Sequence, residues 1–261
     1  MKTASPLVDE SVSQWAAALR RMIVCSPAFE SPDLHGLHAF WGNVPMPFYN
    51  HACLSRPIDD LPGMRRRIEP LLRFAAQQGW PWMFSPCDDW LPAGASEYLS
   101  NIGLVPAMAL SGMAAECSIE PVAAAAQDVR PLSGTSGALL VGELNCLAYG
   151  MPLEWAEQTQ WASFFGSDVF SYALYESDQP ASTATVFITD NCLNVVCVAT
   201  APAFQRKGYA EAVMRHGLNE AMRATGLRHS VLHASEAGRP LYERMGYRTV
   251  AKFTAWTSPH T

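Results

Sequence analysis

A two-module α/β chain, built on mixed sheets flanked by helices, is the fold that three features of the sequence predict. Strand-like and helix-like patterns alternate along the chain, a hairpin pattern is centred on Asp190, and the order strand, helix, strand recurs in each half. At 261 residues the chain is long for one core, and 49% hydrophobic against 16% charged residues supplies apolar material for packed bodies rather than a disordered chain.

Trp15, Leu19, Met22 and Ile23 recur at helical spacing after Asp9 and Ser11, so the chain opens with an amphipathic helix whose stripe is core. Pro45 to Pro57 reads as strand with turns. Asp60 then offers an N-cap and Pro62 a first-turn proline to a helix with Met64, Ile68, Leu71, Leu72 and Ala75 on one face and Gly79 at its end. Pro70 predicts a kink there, and Arg65, Arg66 and Arg67 form the solvated flank. Trp80 to Ser85 reads as a buried strand, Ala95 to Asn101 as a helix and Gly103 to Leu110 as another strand. The alanine-rich run from Val122 to Ala126 and the cluster from Ser133 to Gly137 mark a connection, which puts a boundary near residue 120.

The second half is read as a helix from Gly137 to about Ala148, a second after Pro152, and a strand from Val169 to Tyr175. Thr183 to Ile188 and Leu193 to Ala199 are β-rich runs separated by Thr189-Asp190-Asn191-Cys192, an antiparallel hairpin. Ala210, Val213, Met214, Leu218, Ala221 and Met222 mark one face of a helix ending at Gly226, and Val231 to Ala234 follows as a buried strand. Ser235-Glu236 opens a short helix through Met245, Gly246 ends it in the left-handed conformation, and Tyr247 to Trp256 is the final strand. Asn101-Ile102-Gly103-Leu104 mirrors Arg244-Met245-Gly246-Tyr247, a short match that fits a duplication.

A formal charge of -6 gives no overall attraction for nucleic acid, although a local basic pocket can still hold a phosphate-bearing ligand. The seven cysteines are scattered, with no C-x-x-C pair, and read as free buried thiols. Pro6, Asp9 and Glu10 stand where a signal peptide needs an apolar run, and no stretch is long enough to span a bilayer, so a cytoplasmic location without membrane attachment is expected. His216, His229 and His233 lack ligand spacing to one another, and no metal site is expected.

The chemistry is concentrated in Ala201 to Ala210. Glycine and a small residue there let the backbone approach a ligand, amides at a helix N-terminus form an anion site, and Arg206 and Lys207 add positive charge, so pyrophosphate is the expected occupant. Gln205-Arg206-Lys207-Gly208-Tyr209-Ala210 fits the Q/R-x-x-G-x-G/A signature, and the chain here resembles the GNAT superfamily of N-acetyltransferases. Val198 to Pro202 looks like the end of that family's central strand, and His233 to Tyr247 like its later helix-and-strand signature, so the likeness spans roughly residues 193 to 256. An ordinary strand-to-helix turn is the alternative reading, which the second motif weakens.

The resemblance implies acetyl-CoA as cofactor, with CoA as product. It implies that Val198 and Thr200 offer backbone groups to the pantetheine arm where the central strand splays from its neighbour. Arg206, Lys207, Gly208, Tyr209 and Ala210 would cradle the pyrophosphate, with Gln205 shaping the loop. Tyr242 stands where many members place a tyrosine near the departing thiolate. A phenol is protonated at neutral pH, so Tyr242 is the expected general acid, against the alternative of a packing tyrosine. Ser235 replaces an asparagine common in relatives, which puts its cofactor contact in question.

Amine attack on a thioester requires a neutral amine, so a base must take a proton directly or through water. Some relatives use a glutamate on the central strand, but Leu193 to Thr200 holds no carboxylate. Asp190 and Glu143 read as solvated charges, a water relay is the default, and Cys197 reads as a structural thiol rather than an acyl carrier. By resemblance the acceptor lies near the first two helices, with Asn145 and Tyr149 as candidate contacts.

In the first half the segment corresponding to the phosphate loop, Arg56 to Met64, carries two acids and two prolines and should repel pyrophosphate. Residues 1–116 are therefore expected to be a degenerate GNAT-like or accessory module, and 117–261 the catalytic one. The expected function is acetyl transfer to a primary amine of a small molecule or peptide. A catalytically weak CoA-binding sensor or scaffold is the alternative, and a longer acyl group or non-amine acceptor a third reading. Tandem modules bury internally the surface that single-domain relatives use to dimerise, which leaves monomer and homodimer open.

Overall fold

The computed structural model describes residues 5–118 and 128–258. The alanine-rich run from Val122 to Ala126 lies outside them. In chain order the elements are α1 (Pro6–Ile23), β1 (Leu37–Trp41), β2 (Asn50–Leu54), α2 (Leu61–Gln78), β3 (Met83–Phe84), α3 (Ala95–Asn101), β4 (Val105–Glu116) and β5 (Asp128–Pro131). Then follow α4 (Gly134–Tyr149), α5 (Glu154–Gln158), β6 (Val169–Glu176), β7 (Gln179–Thr189), β8 (Cys192–Thr200), α6 (Tyr209–Thr225), β9 (His229–Ser235), α7 (Arg239–Arg244) and β10 (Arg248–Thr257). The strands are hydrogen-bonded in mixed parallel and antiparallel pairings and flanked by helices, the mixed α/β class that the sequence predicts. Among the described residues no helix is long and apolar enough to cross a membrane.

The chain divides into two compact units, and neither is contiguous. The first comprises residues 1–113, 233–240 and 248–261, and the second 114–232 and 241–247. The physical reason is that β10, last in sequence, pairs antiparallel with β3, placing Trp256 opposite Phe84. Conversely, the end of β4 belongs to the second unit, where the Cys117 amide donates to the Arg228 carbonyl at 2.8 Å.

In the first unit the strand order is β1, β2, β3, β10, β4, with β1–β2 antiparallel and β2–β3 parallel. Helix α1 starts at Pro6 and buries Val8, Val12, Trp15, Leu19, Met22 and Ile23, the stripe expected from its spacing. Helix α2 is capped by the Asp60 carboxylate, which accepts from the Gly63 amide at 2.6 Å, and it runs through Pro70 to a left-handed Gly79. Strands β1 and β5 were hidden in sequence because they are short and lack a clean alternation.

The core of this unit contains a closed polar chain. Trp15 Nε1 donates to Ser85 Oγ at 2.7 Å, Ser85 Oγ lies 2.6 Å from His51 Nε2, and His51 Nδ1 lies 3.3 Å from the Phe48 carbonyl. A neutral His51 protonated at Nδ1 satisfies every partner: indole to hydroxyl, hydroxyl to Nε2, Nδ1 to carbonyl. His233 stands beside this chain, its ring 4.6 Å from that of Trp15 and its Nε2 3.1 Å from the Ser11 carbonyl. Burial lowers His51 from 6.5 to about 4 and His233 to about 3.

In the second unit the order is β9, β8, β7, β6, β5. β9 runs parallel to β8 and the other pairs are antiparallel. Both hairpins turn on two residues with positive φ, Ser177-Asp178 and Asp190-Asn191, the geometry that follows the right-handed twist of the strands. Helix α6 buries Ala212, Val213, Met214, Leu218, Ala221 and Met222 and ends at the left-handed Gly226. The predicted likeness of the two helix ends is also structural. Leu104 donates to Leu99 at 3.1 Å and Gly103 to Ser100 at 3.0 Å, while Tyr247 donates to Tyr242 at 3.0 Å and Gly246 to Glu243 at 3.1 Å. Both glycines are left-handed, so both helices stop in a Schellman motif.

Two expectations follow. Residues 117–261 expressed alone lack β3, the partner of β10, and leave Phe253 and Trp256, 1% and 4% exposed in the full chain, without cover. That fragment should show no cooperative thermal transition unless residues 1–116 are co-expressed; a sharp melt by the fragment alone contradicts the exchanged arrangement. Second, both depressed imidazoles contribute stability that is complete above their unfolded value near 6.5 and lost as pH falls through about 4 and about 3. Chemical denaturation should show stability flat from pH 8 to 7 and falling below 6.5 by up to about 1.4 kcal/mol per pH unit for each imidazole. A curve level to pH 5 refutes the buried neutral pair.

Candidate functional site

Strand β8 is held on both sides only along its first half. Its parallel pairing with β9 runs from Leu193–Ser230 to Val195–Leu232, whereas its pairing with β7 continues to Thr200–Ser182. On the β7 side the register slips between Thr185–Val196 and Thr183–Ala199, so Cys197 and Val198 form a bulge. Cys197 carries φ of 52°, a left-handed value that disfavours a residue with a side chain. Beyond the bulge, Ala199 and Ala201 are buried against Leu144 of α4, with Leu140, Ala148 and Phe204 around them. This packing anchors the strand where its second neighbour has left it.

Ala201 leads into a helical turn, Pro202–Phe204, and then into the loop ahead of α6. Arg206 has φ of 62° and Gly208 of 81°, so the chain reverses twice before Tyr209 opens the helix. The amides of Arg206, Lys207, Gly208, Tyr209 and Ala210 donate to no backbone acceptor among the described residues. A Cβ placed on Gly208 would meet no atom within 4 Å, so the glycine is required by its φ and by what approaches from outside. Five successive donors at a helix N-terminus, with the helix dipole behind them, form a cradle for a pyrophosphate-sized anion. The donor set therefore fits the nucleotide end of CoA.

The residues expected from sequence fall as follows. Gln205 donates from Nε2 to the Thr200 carbonyl at 3.3 Å, tying the loop to the strand end. The Thr200 hydroxyl lies 2.8 Å from that of Ser182, which donates to the Ala199 carbonyl at 2.9 Å. Arg206 is exposed. Lys207 pairs with Glu176 at 2.8 Å, and Tyr209 donates its hydroxyl to the same carboxylate. Glu176 had no sequence signal, because it lies 31 positions from Lys207. The hairpin connecting β6 to β7 is what brings it there.

Tyr242 is 8% exposed, and burial raises its pKa above the usual phenol value, reinforced by Tyr149 at the end of α4. Its ring meets that of Tyr247 edge-on at 6.2 Å, and the Tyr247 hydroxyl lies 2.6 Å from that of Ser230 on β9. Tyr242 and Tyr149 are thus brought together, and Tyr149 is 48% exposed where its neighbours Leu147 and Leu153 are also exposed. Asn145 instead spends its amide on the Val141 carbonyl at 2.7 Å, one turn back in α4. Ser235 lies in the first unit, where its hydroxyl accepts from the Gly238 amide at 3.3 Å.

Asp190 sits in the β7–β8 turn at the start of β8, roughly 25 Å from Val198 at the usual rise per residue. Cys197 is partly buried, and desolvation pushes its thiol up to about 12, where little thiolate exists at neutral pH. His229 engages Glu116 at 2.7 Å, and His216 packs edge-on against Tyr172 at 4.6 Å.

A parallel strand pair that parts halfway, a bulge at the parting and an amide-lined loop at a helix N-terminus meet at the C-terminal end of β8 in this mixed α/β unit. Residues 142–247, less than half of the chain, match the model of the acetyltransferase (GNAT) family. No curated protein matches the sequence. Among solved structures, the chain is similar to a GCN5-related N-acetyltransferase from Kribbella flavida, 16% identical, with a TM-score of 0.71 over 96% of each chain. It is also similar to a GNAT-family acetyltransferase from Novosphingobium aromaticivorans, 17% identical, TM-score 0.59, over 97% of this chain and 99% of that one. A tandem GNAT protein from the clavulanic acid biosynthesis pathway is 12% identical with a TM-score of 0.53, over 96% of this chain and 95% of its own. These overlaps run through both units, so the fold is that of two GNAT-like modules in tandem.

Proposed function

We propose that the protein is an acetyl-CoA-dependent N-acetyltransferase that transfers the acetyl group directly to a primary amine of a small molecule or peptide in the cytoplasm. The observation that carries this reading is the run of five loop amides, Arg206 to Ala210, that have no backbone acceptor among the described residues at the N-terminus of α6. Residues 117–261 supply the cofactor loop, the splayed strand and Tyr242; residues 1–116 are the degenerate partner, because the Asp60 carboxylate already fills the N-terminus of α2.

Acetyl-CoA, when bound, supplies an activated acyl carbonyl and a thiolate leaving group. The loop amides with Arg206 would hold the pyrophosphate, and backbone groups of Val198 and Thr200, on the half of β8 that β9 has left, would orient the pantetheine arm. Tyr242 holds its proton at Oη because burial disfavours the phenolate, so its neutral hydroxyl would be available to donate to a thiolate leaving group. Leu193 to Thr200 carries no carboxylate, so the amine proton would pass to water rather than to a side chain of that strand. That missing carboxylate is also what favours a second reading, a CoA-binding sensor or scaffold without turnover.

Isothermal titration with acetyl-CoA, followed by CoA release in the presence of amine panels, tests both readings. Saturable one-site binding with amine-dependent release supports the enzyme; binding without release from any amine supports the sensor. Tyr242→Phe should lower turnover about a hundredfold with acetyl-CoA affinity within about twofold. Equal turnover removes Tyr242 from the chemistry. Gly208→Glu should weaken acetyl-CoA binding about a hundredfold or more, through a side chain and a negative charge placed in the cradle. Unchanged affinity in a variant that still melts cooperatively refutes the loop assignment.

A further inference from the structure

Besides the amides, the cofactor loop offers two cations, and the fold treats them differently. Arg206 makes no ion pair among the described residues, whereas Lys207 is bound by both oxygens of Glu176, at 2.8 and 3.2 Å. The same carboxylate accepts from the Tyr209 hydroxyl, the first residue of α6. Glu176 is not a side chain that has drifted onto a convenient lysine. It ends β6, pairs across the hairpin with Gln179, and precedes the tight turn Ser177-Asp178, whose two positive φ values fix the strand end. Its backbone is therefore set by the sheet, and its carboxylate is delivered to the loop by the fold.

The contacts it makes are those a phosphate oxygen would make: an ammonium and a hydroxyl beside a helix N-terminus. Between Arg130 and Arg206 the sequence has no Lys, Arg or His, so β6, β7 and β8 bring no cation of their own to this loop, and Glu176 pairs with one of the two that the loop carries. CoA brings several negative charges to the same place. We propose that Glu176 is a built-in anionic competitor for the nucleotide part of the cofactor, occupying Lys207 and Tyr209 until the pyrophosphate arrives and setting the affinity below what the loop alone would give. This rests on the assignment of the loop to CoA. Its use is release: a cofactor product that must leave each cycle is displaced more readily when the protein carries a replacement ligand for its cations.

The test compares wild type, Glu176→Gln and Glu176→Ala by titration with acetyl-CoA and with adenosine 3',5'-bisphosphate at low and high salt. Glu176→Gln keeps an acceptor for Tyr209 and Lys207 while removing the charge. It should bind acetyl-CoA about three- to tenfold more tightly at low ionic strength, with the gain shrinking as salt screens it. Glu176→Ala should change affinity in the same direction. Equal or weaker binding by Glu176→Gln overturns the competitor role while leaving the loop assignment standing. Tighter binding by Glu176→Gln but weaker binding by Glu176→Ala also overturns it, since Glu176 then positions the loop. Absence of saturable binding in all three proteins, each still melting cooperatively, removes the cofactor assignment and the proposal together.

Discussion

Everything in the second unit is arranged around the point where β9 lets go of β8. After Val195–Leu232 the parallel ladder stops, and a strand that loses one neighbour must satisfy its backbone otherwise or leave it for a ligand. The bulge at Cys197 makes the parting abrupt, at a cost of order 1 kcal/mol for a left-handed residue with a side chain. That cost is offset by burial just beyond it, where Ala199 and Ala201 pack on Leu144, and by the Gln205 amide closing on the Thr200 carbonyl. Those anchors fix where the loop begins, and hence where its amides stand.

The two units put the same physics to opposite ends. Helices α2 and α6 each follow a strand and a short loop, and each presents unsatisfied amides at its first turn. In α2 the chain supplies its own anion, the Asp60 carboxylate on the Gly63 amide, and the helix is self-sufficient. In α6 the N-cap is a left-handed glycine with no side chain to offer, so the positive end of the dipole faces outward. One side chain at the cap separates a helix whose first turn is closed from one whose first turn is open.

Much of this was legible in the sequence, and for identifiable reasons. The helices α1, α2 and α6 carry long apolar stripes with caps, the hairpin turn at Asp190-Asn191 carries turn chemistry, and the loop carries a glycine whose φ no other residue shares easily. What stayed hidden depends on partners far apart in the chain. Glu176 becomes meaningful only when the β6–β7 hairpin sets it against Lys207, and Asn145 looks like a binding residue until its amide is found on Val141. The discontinuous units were hidden for the same reason: a strand pattern says that β10 is a strand, not that β3 is its partner.

That pairing bears on how such a chain can change over generations. A duplicated copy that loses its ligand is ordinarily free to decay and be deleted. Here the Trp82 carbonyl accepts from the Thr257 hydroxyl at 3.0 Å, Asp88 accepts from the Thr254 amide at 3.0 Å, and Phe84 stands opposite Trp256. The end of the chain is thus completed by residues from its first half. Removing the first half would leave β10 without β3, so whatever selection keeps β10 in place also keeps the residues that pair with it. Pairing across so long a sequence separation makes one part of a chain indispensable to another, whatever either part binds.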